Sequence, residues 1–385
     1  IAVALCVTMV LVVMSVMGGW LDMVKQRARG LLGDVIIDNH AYGGFPLYEE
    51  FIATISEWPE VARATPVLYT YALLRIESPY TEQTATVSLV GMRLDEAYEV
   101  NAFRDSLFYE KYYPGTTTFA EQHKPAAGFD RNPDNVVVTT SGRRMPAVVL
   151  PEPYQGALER ARREHLQRTG RPLEPVDEVD SRLNRELREY GMPTLPGEYW
   201  FSDDERPQLH GDALPGVIIG RDIIAKREAD GRYNRYYTRG TIAKLTYWAV
   251  SSRGQVDPIP KRASFRYTDD SRTGVFEIDS RTVYVEFDLL QRLLEMNAGE
   301  RVDAEGEVIG TVPARCSQIQ IKLSPEVRPS DLPALTARLK RTYHAFLDDP
   351  RFDLDTSERR LVQRIEAVTW EQSQAHIIGP VEKER

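Results

Sequence analysis

The sequence predicts an α+β protein carried on an N-terminal transmembrane helix, and three observations predict it. Ile1–Leu21 contains no ionisable side chain. A strand–helix–strand order follows that run and returns near the other end of the chain, and between the two copies lies a stretch dominated by strand-like patterns. One domain is therefore expected to be built from both chain ends, with a mainly-β domain inserted in it. The expected boundaries are a transmembrane helix at 1–21, the first part of the α+β domain at 22–97 and an irregular, charged helical insertion at 98–214. The mainly-β domain follows at 215–312, then the second part of the α+β domain at 313–355 and a helical segment at 356–385.

The apolar run is long enough to span. At about 1.5 Å per residue it makes a helix of roughly 31 Å, against a hydrocarbon core about 30 Å thick. Thr8 and Ser15 can return their hydroxyls to carbonyls one turn earlier. Leu5, Val12 and Val16 are expected within the membrane, with Trp20 as an interfacial anchor. A cleaved signal peptide has a shorter apolar stretch, about 7–15 residues, and a buried core helix shows a polar stripe that this run lacks. The sequence starts at Ile1, so it is expected to be a piece of a longer membrane protein. Lys25, Arg27 and Arg29 favour a cytoplasmic flank, yet long domains translocate largely regardless of nearby charge, so these three leave the orientation open. A net charge of −9 argues against nucleic acid as a partner. Cys6 in the apolar run and Cys316 in an expected strand make an unlikely disulfide pair, so the cysteines do not fix a redox compartment.

The elements follow in order. Asp34–Asn39 reads as a short apolar strand, and Pro46–Trp58 as a helix with Phe51, Ile52 and Ile55 on one side. Val61–Glu77 reads as a long strand and Thr84–Met92 as one returning beside it. From Tyr98 to Pro151 the pattern is irregular and aromatic (Phe103, Phe108, Tyr109, Tyr112, Tyr113), with one strand candidate at Asn135–Thr140 and turn chemistry at Pro114-Gly115 and Asn132-Pro133. Glu152–Tyr190 is rich in both charges and reads as a solvated helical hairpin broken at Gly170–Pro175. Pro215–Lys226 runs from an apolar start into a short helix. Strands are then expected at Thr241–Val250, Ala263–Tyr267 and Arg281–Phe287, and a helix at Asp288–Met296. Arg315–Leu323 alternates as a half-buried strand. Asp331–Leu347 places Leu332, Leu335, Leu339, Tyr343 and Phe346 on one helical face, with Ser330 as its N-cap. Phe352 and Leu354 are expected in a last strand. Thr356–Gly379 has Leu361, Ile365, Val368 and Gln372 at helical spacing and is expected to return to the membrane surface.

Catalytic patterns are missing from the sequence. The six histidines, at 40, 123, 165, 210, 344 and 376, have no neighbour at metal-ligand spacing, and neither a G-x-S-x-G elbow nor a G-x-x-x-x-G-K-[ST] loop occurs. The acidic pairs Asp203-Asp204, Asp269-Asp270 and Asp348-Asp349 are expected in turns, where aspartate side chains accept from nearby backbone amides. No catalytic, cofactor or metal residue is therefore assigned, and the chain is not expected to be an enzyme.

Thr273–Val285 (TGVFEIDSRTVYV), followed by FDLLQRLL, resembles the turn, strand and helix late in the periplasmic domain of ABC-transporter permeases of the lipoprotein-releasing (LolC/LolE) and MacB type. Three further pieces fall in that family's order: VVMSVMGGWLDMVKQR at the end of the first membrane helix, PGVIIGRDIIAKR at the start of the inserted domain, and the terminal GPVEKER. Within these pieces Gly216, Gly220, Gly274, Asp279 and Tyr284 match the family signature. Gly274 and Asp279 read as a tight turn between strands. The sequence departs from the pattern where Arg239-Gly240 stands near the family's Gly-Asp pair, after the extra residues Arg232–Tyr237. It departs again over Thr116–His210, which is longer and more charged. The resemblance implies a permease subunit of the bacterial inner membrane whose bulk is periplasmic and which has no cofactor of its own. ATP and Mg would be bound by a cytoplasmic ATPase. The implied partners are that ATPase, a second permease copy or paralogue, a periplasmic chaperone or adaptor, and the lipid bilayer. What is moved, lipoprotein or another substrate, is not specified. The alternative is a membrane-anchored periplasmic binding or sensory domain without an ATPase.

Overall fold

A computed structural model of the chain describes residues 32–39, 43–78, 81–112, 117–121, 131–138, 144–148, 213–227, 233–235, 240–250, 256–302, 307–352 and 354–373, with isolated residues at 8, 9, 12, 163, 166, 167, 170, 171 and 237. β1 (Val35–Asp38), β2 (Phe45–Pro46) and α1 (Tyr48–Ser56) lead into the long β3 (Val61–Ser78), which turns back as β4 (Thr81–Met92). Three short helices follow, α2 (Leu94–Val100), α3 (Phe103–Ser106) and α4 (Phe108–Tyr112), then the two-stranded pair β5 (Arg131–Val138) and β6 (Arg144–Val148). The chain continues as β7 (Gly216–Gly220), α5 (Arg221–Ile224), the pair β8 (Ala225–Arg227) and β9 (Tyr233–Arg235), β10 (Ile242–Tyr247), β11 (Lys261–Ser271), α6 (Phe276–Asp279), β12 (Thr282–Glu286) and α7 (Phe287–Leu293). It ends with the pair β13 (Gly299–Val302) and β14 (Val308–Val312), then β15 (Arg315–Cys316), β16 (Gln318–Leu323), α8 (Leu332–Ala345), α9 (Thr356–Gln363), β17 (Glu366–Thr369) and α10 (Trp370–Ser373).

β3 organises the sheet because its length lets it serve two neighbours along one edge. Val61–Val67 pairs with β16, and Ala72–Ile76 pairs with β10. Its other edge carries β4 from Val67↔Met92 to Ser78↔Thr81. The pairings β4–β12, β12–β7, β7–β11 and β11–β10 then return to β3, closing six strands into a ring. From the first half of β3 the sheet continues outward as β16, β1 and β17. The stretch expected as a separate inserted β domain is thus hydrogen-bonded into the same sheet as β3 and β4.

Alternation places the core. In β10, Ala243, Leu245 and Tyr247 point inward while Ile242 and Lys244 are exposed, the period of two that a one-sided strand requires. One apolar cluster runs from the ring (Leu74, Leu89, Ile219, Phe265) to the helices over the open part of the sheet, including Phe51 of α1 and Leu339 and Tyr343 of α8. Leu335, Leu339 and Tyr343 are buried four residues apart, as the helical stripe predicts. The Tyr343 ring lies 4.9 Å from Phe51 and edge-on to Phe45 at 5.6 Å, and its hydroxyl donates to the Pro46 carbonyl.

Several expectations are corrected. The N-cap of α8 is Asp331, without a side-chain cap bond, and Ser330 Oγ turns instead to Asp331 Oδ1. Phe352 and Leu354 form no strand. The helix expected through 356–379 ends at Gln363, and Glu366–Thr369 becomes β17, because β1 offers an open ladder that outweighs the helical spacing of Ile365 and Val368. α2 occupies a stretch given no element from sequence. Asp269-Asp270 lies not in a turn but inside β11. Most of Glu152–Tyr190, and Asp203-Asp204, lie outside the described residues. Among the described residues no helix is long and apolar enough to cross a membrane; Ile1–Leu21 is described only at Thr8, Met9 and Val12, which are helical and exposed.

Candidate functional site

Two places in the fold join segments that are far apart in sequence. The first is the end of the open sheet where the start of β1 meets the end of β17. β1 runs antiparallel to β17, so Val35 faces Thr369, and Trp370 N donates to Asp34 O at 3.3 Å. On the other side of β1, Asp34 N donates to Ile321 O at 2.8 Å, and the Asp34 carboxylate accepts from Leu323 N at 3.0 Å. Gly33 turns the chain into this position with φ of 69°, and a Cβ there would lie 2.9 Å from the Ile321 carbonyl oxygen, so both conformation and space call for glycine. After β17, Thr369 N donates to Gln372 Oε1 and Gln372 N to Thr369 Oγ1, a reciprocal pair that starts α10.

The second is a polar seam at the end of β11. Asp269 and Asp270 are fully buried. The Asp269 carboxylate accepts from Tyr109 N (2.7 Å), Glu110 N (2.8 Å) and Thr117 Oγ1 (2.5 Å), which lashes these three residues to the strand. Asp270 accepts from Arg221 Nε at 2.7 Å and from the Tyr267 hydroxyl at 3.0 Å, and the Arg221 guanidinium lies 4.7 Å over the Phe108 ring. Ser106 and Ser271 share a hydroxyl contact at 3.0 Å, and Arg272 N donates to Ser106 O. A buried carboxylate persists only with such partners. Gly216 N donates to Phe119 O at 3.0 Å, so the two sides of the 120–215 excursion meet at this seam.

The positions singled out by the family resemblance, Gly216, Gly220, Gly274, Asp279 and Tyr284, lie about this seam. A Cβ on Gly216 would sit 2.0 Å from the Thr118 carbonyl oxygen, and one on Gly220 2.4 Å from that of Asp279. Asp279 accepts from Thr273 N (2.8 Å), Thr273 Oγ1 (2.8 Å) and Gly274 N (2.9 Å), while Gly274 has φ of 80°, the geometry of a tight turn closed by a carboxylate. Burial raises the Asp279 carboxyl above its ordinary range, against the lowering effect of those donors. Tyr284 is buried with its ring 4.7 Å from Phe103, and burial pushes its phenol up. Of the residues expected in the membrane, Val12 is exposed, and Leu5, Val16 and Trp20 lie outside the described residues.

The partners that sequence reasoning missed are Asp269, Asp270, Arg221 and Thr117. The available signal was that Lys261–Ser271 contains no glycine, proline or asparagine, and the first glycine after it is Gly274. Among the described residues no three side chains of metal-ligating type lie together. The seam offers hydrogen-bonded closure of a junction, and the sheet end ties the start of β1 to the end of β17.

No family model matches the sequence, and no curated protein matches it. Among solved structures, the chain is similar to the periplasmic region of MacB from Actinobacillus actinomycetemcomitans, with a TM-score of 0.34 and 10% identity over 91% of this chain and 94% of that one. It is also similar to the extracellular domain of the noncanonic ABC-type transporter YknZ from Gram-positive bacteria, with a TM-score of 0.32 and 8% identity over 87% of this chain and 99% of that one.

Proposed function

We propose that this chain is a permease subunit of an ABC transporter in a bacterial inner membrane, with its bulk in the periplasm. A cytoplasmic partner ATPase binds ATP and Mg, and motion of the membrane helices reaches the periplasmic body, which moves or releases lipoprotein or another substrate. In this reading the subunit works with a second copy or a paralogue, and with a periplasmic chaperone or adaptor. The sequence motifs and their order support it. The observation that carries it is the pairing of Asp34 with Trp370, which sets the start of β1 and the end of β17 side by side at one sheet end. A body held at two adjacent points on one edge is suited to being tilted or lifted by what holds it.

The test uses the full-length protein in membranes. Cysteine pairs are placed across Asp22–Gln26 and Gln374–Ile378, with Cys6 and Cys316 replaced by serine. At least one pair is expected to bridge on oxidation, since a disulfide needs Cα atoms within roughly 7 Å, to stop substrate movement, and to recover on reduction. Bridged protein that transports normally sinks the coupling reading. In spheroplasts, added protease is expected to cut within Asp22–Arg385 while a cytoplasmic marker survives.

A further inference from the structure

We propose that β17 is a detachable strand, which lets the two chain connections splay apart without unfolding the body. The proposal stands on the unequal anchoring of two adjacent strands. β1 is held on both sides, by β16 and by β17, and Val35, Ile36 and Ile37 are completely buried. Among the described residues β17 is the outermost strand of the sheet, and its one ladder partner is β1. It has four residues, Glu366 exposed and Ala367, Val368 and Thr369 half-buried.

Loading direction matters because antiparallel hydrogen bonds lie perpendicular to the strands. When both connections move together along the strand axis, the β1–β17 pairs are loaded at once and the body follows as one piece. When the connections separate sideways, the load falls first on Trp370 N–Asp34 O, then on Thr369 opposite Val35, and so on in turn. Detachment stops at a defined point, since Val362 and Ile365, just before β17, are completely buried and α9 is closed by the reciprocal Asp355–Glu358 capping box. The freed segment adds roughly 13 Å of reach at about 3.3 Å per residue.

Detachment itself does not depend on the transporter reading; its use in coupling rests on that reading. Hydrogen exchange on the full chain in detergent micelles tests the first. Amides of β17 are expected to exchange about a hundredfold faster than those of Ile319–Ile321 in β16, as a separately opening unit does. Equal rates overturn the proposal whatever the protein transports. Ile36 and Val368 are directly opposed, within disulfide reach for facing residues. In the I36C/V368C variant, oxidation is expected to slow β17 exchange to the β16 level and to block transport, and reduction to restore both. If oxidation slows exchange while transport is unchanged, the proposed role in splaying is overturned.

Discussion

β1 and β11 are strands of one sheet and both reach full burial, but they do so with opposite chemistry. β1 brings Val35, Ile36 and Ile37 to the core; β11 ends in Asp269, Asp270 and Ser271, equally enclosed. Burying the first set is favourable by itself, at about 25 cal/mol per Å² of apolar surface. Burying the second is unfavourable until every carboxylate oxygen has a donor, and these donors come from residues 109–117, from Tyr267 and from Arg221. The apolar strand would tolerate many arrangements of its neighbours. The acidic one tolerates few, and so it fixes where the 120–215 excursion joins the ring.

The largest expected effect probes the acidic end. Asp270→Ala removes the carboxylate facing Arg221, whose side chain is buried with it. Breaking a buried pair from one side costs about 3–5 kcal/mol, and denaturant unfolding is expected to show a loss of that order. A loss below about 1 kcal/mol would show that the seam is dispensable. On the apolar strand, Ile37→Ala is expected to cost about 2–4 kcal/mol by the same measurement, from lost burial and the cavity left behind. The two differ in kind as well as size. A hydrophobic replacement at Ile37 such as valine should recover most of the loss, whereas a hydrophobic replacement at Asp270 should recover little while Arg221 is still present.

The difference between the strands also explains what was legible in the sequence. VIID at β1, the i, i+4 stripe of α8 and the alternation of β10 follow from apolar spacing, which responds to burial in a direct way. Asp269-Asp270 reads as a turn because aspartate is common in turns, and the one local signal against it is the lack of glycine, proline and asparagine in Lys261–Ser271. Apart from Tyr267 and the Asp270 amide, its partners lie between 49 and 160 residues away in sequence. The same non-locality hid β17. Its helical spacing is a local signal, but the open ladder of β1 is set more than 300 residues earlier. The need for glycine at position 216, where a Cβ would sit 2.0 Å from the Thr118 carbonyl oxygen, likewise exists only in the folded chain.

A smaller effect tests whether the junction is as tight as the seam suggests. Gly216→Ala places a methyl group against the Thr118 backbone, which cannot rotate away as a side chain would. The expected cost is about 1–3 kcal/mol, and limited proteolysis is expected to cut within residues 113–121 faster than in the parent protein. Gly299→Ala is the control, since a Cβ there meets nothing within 4 Å. If the two variants behave alike, close approach at Gly216 does not hold the junction.

The smallest effect is a pH slope from the turn closed by Asp279. Burial is the leading influence on this carboxyl and raises its pKa in the folded state, with the Thr273 and Gly274 donors and Arg221 opposing. An acid with a raised folded pKa binds its proton more tightly folded than unfolded. Its contribution to stability is therefore fully present below the unfolded value, about 3.9, and is lost as pH rises through the folded value. Asp279→Asn cannot ionise, so the slope should vanish, although the amide presents a donor where one oxygen accepted and the variant is expected to be less stable at every pH. The quantity to measure is thus the difference in unfolding free energy between parent and variant, as a function of pH. It should narrow as pH rises from below 4 through the folded pKa, then stay constant. A difference that widens over that interval would mean that the three donors outweigh burial, and that the turn holds its carboxylate charged as firmly as the seam holds Asp269 in place.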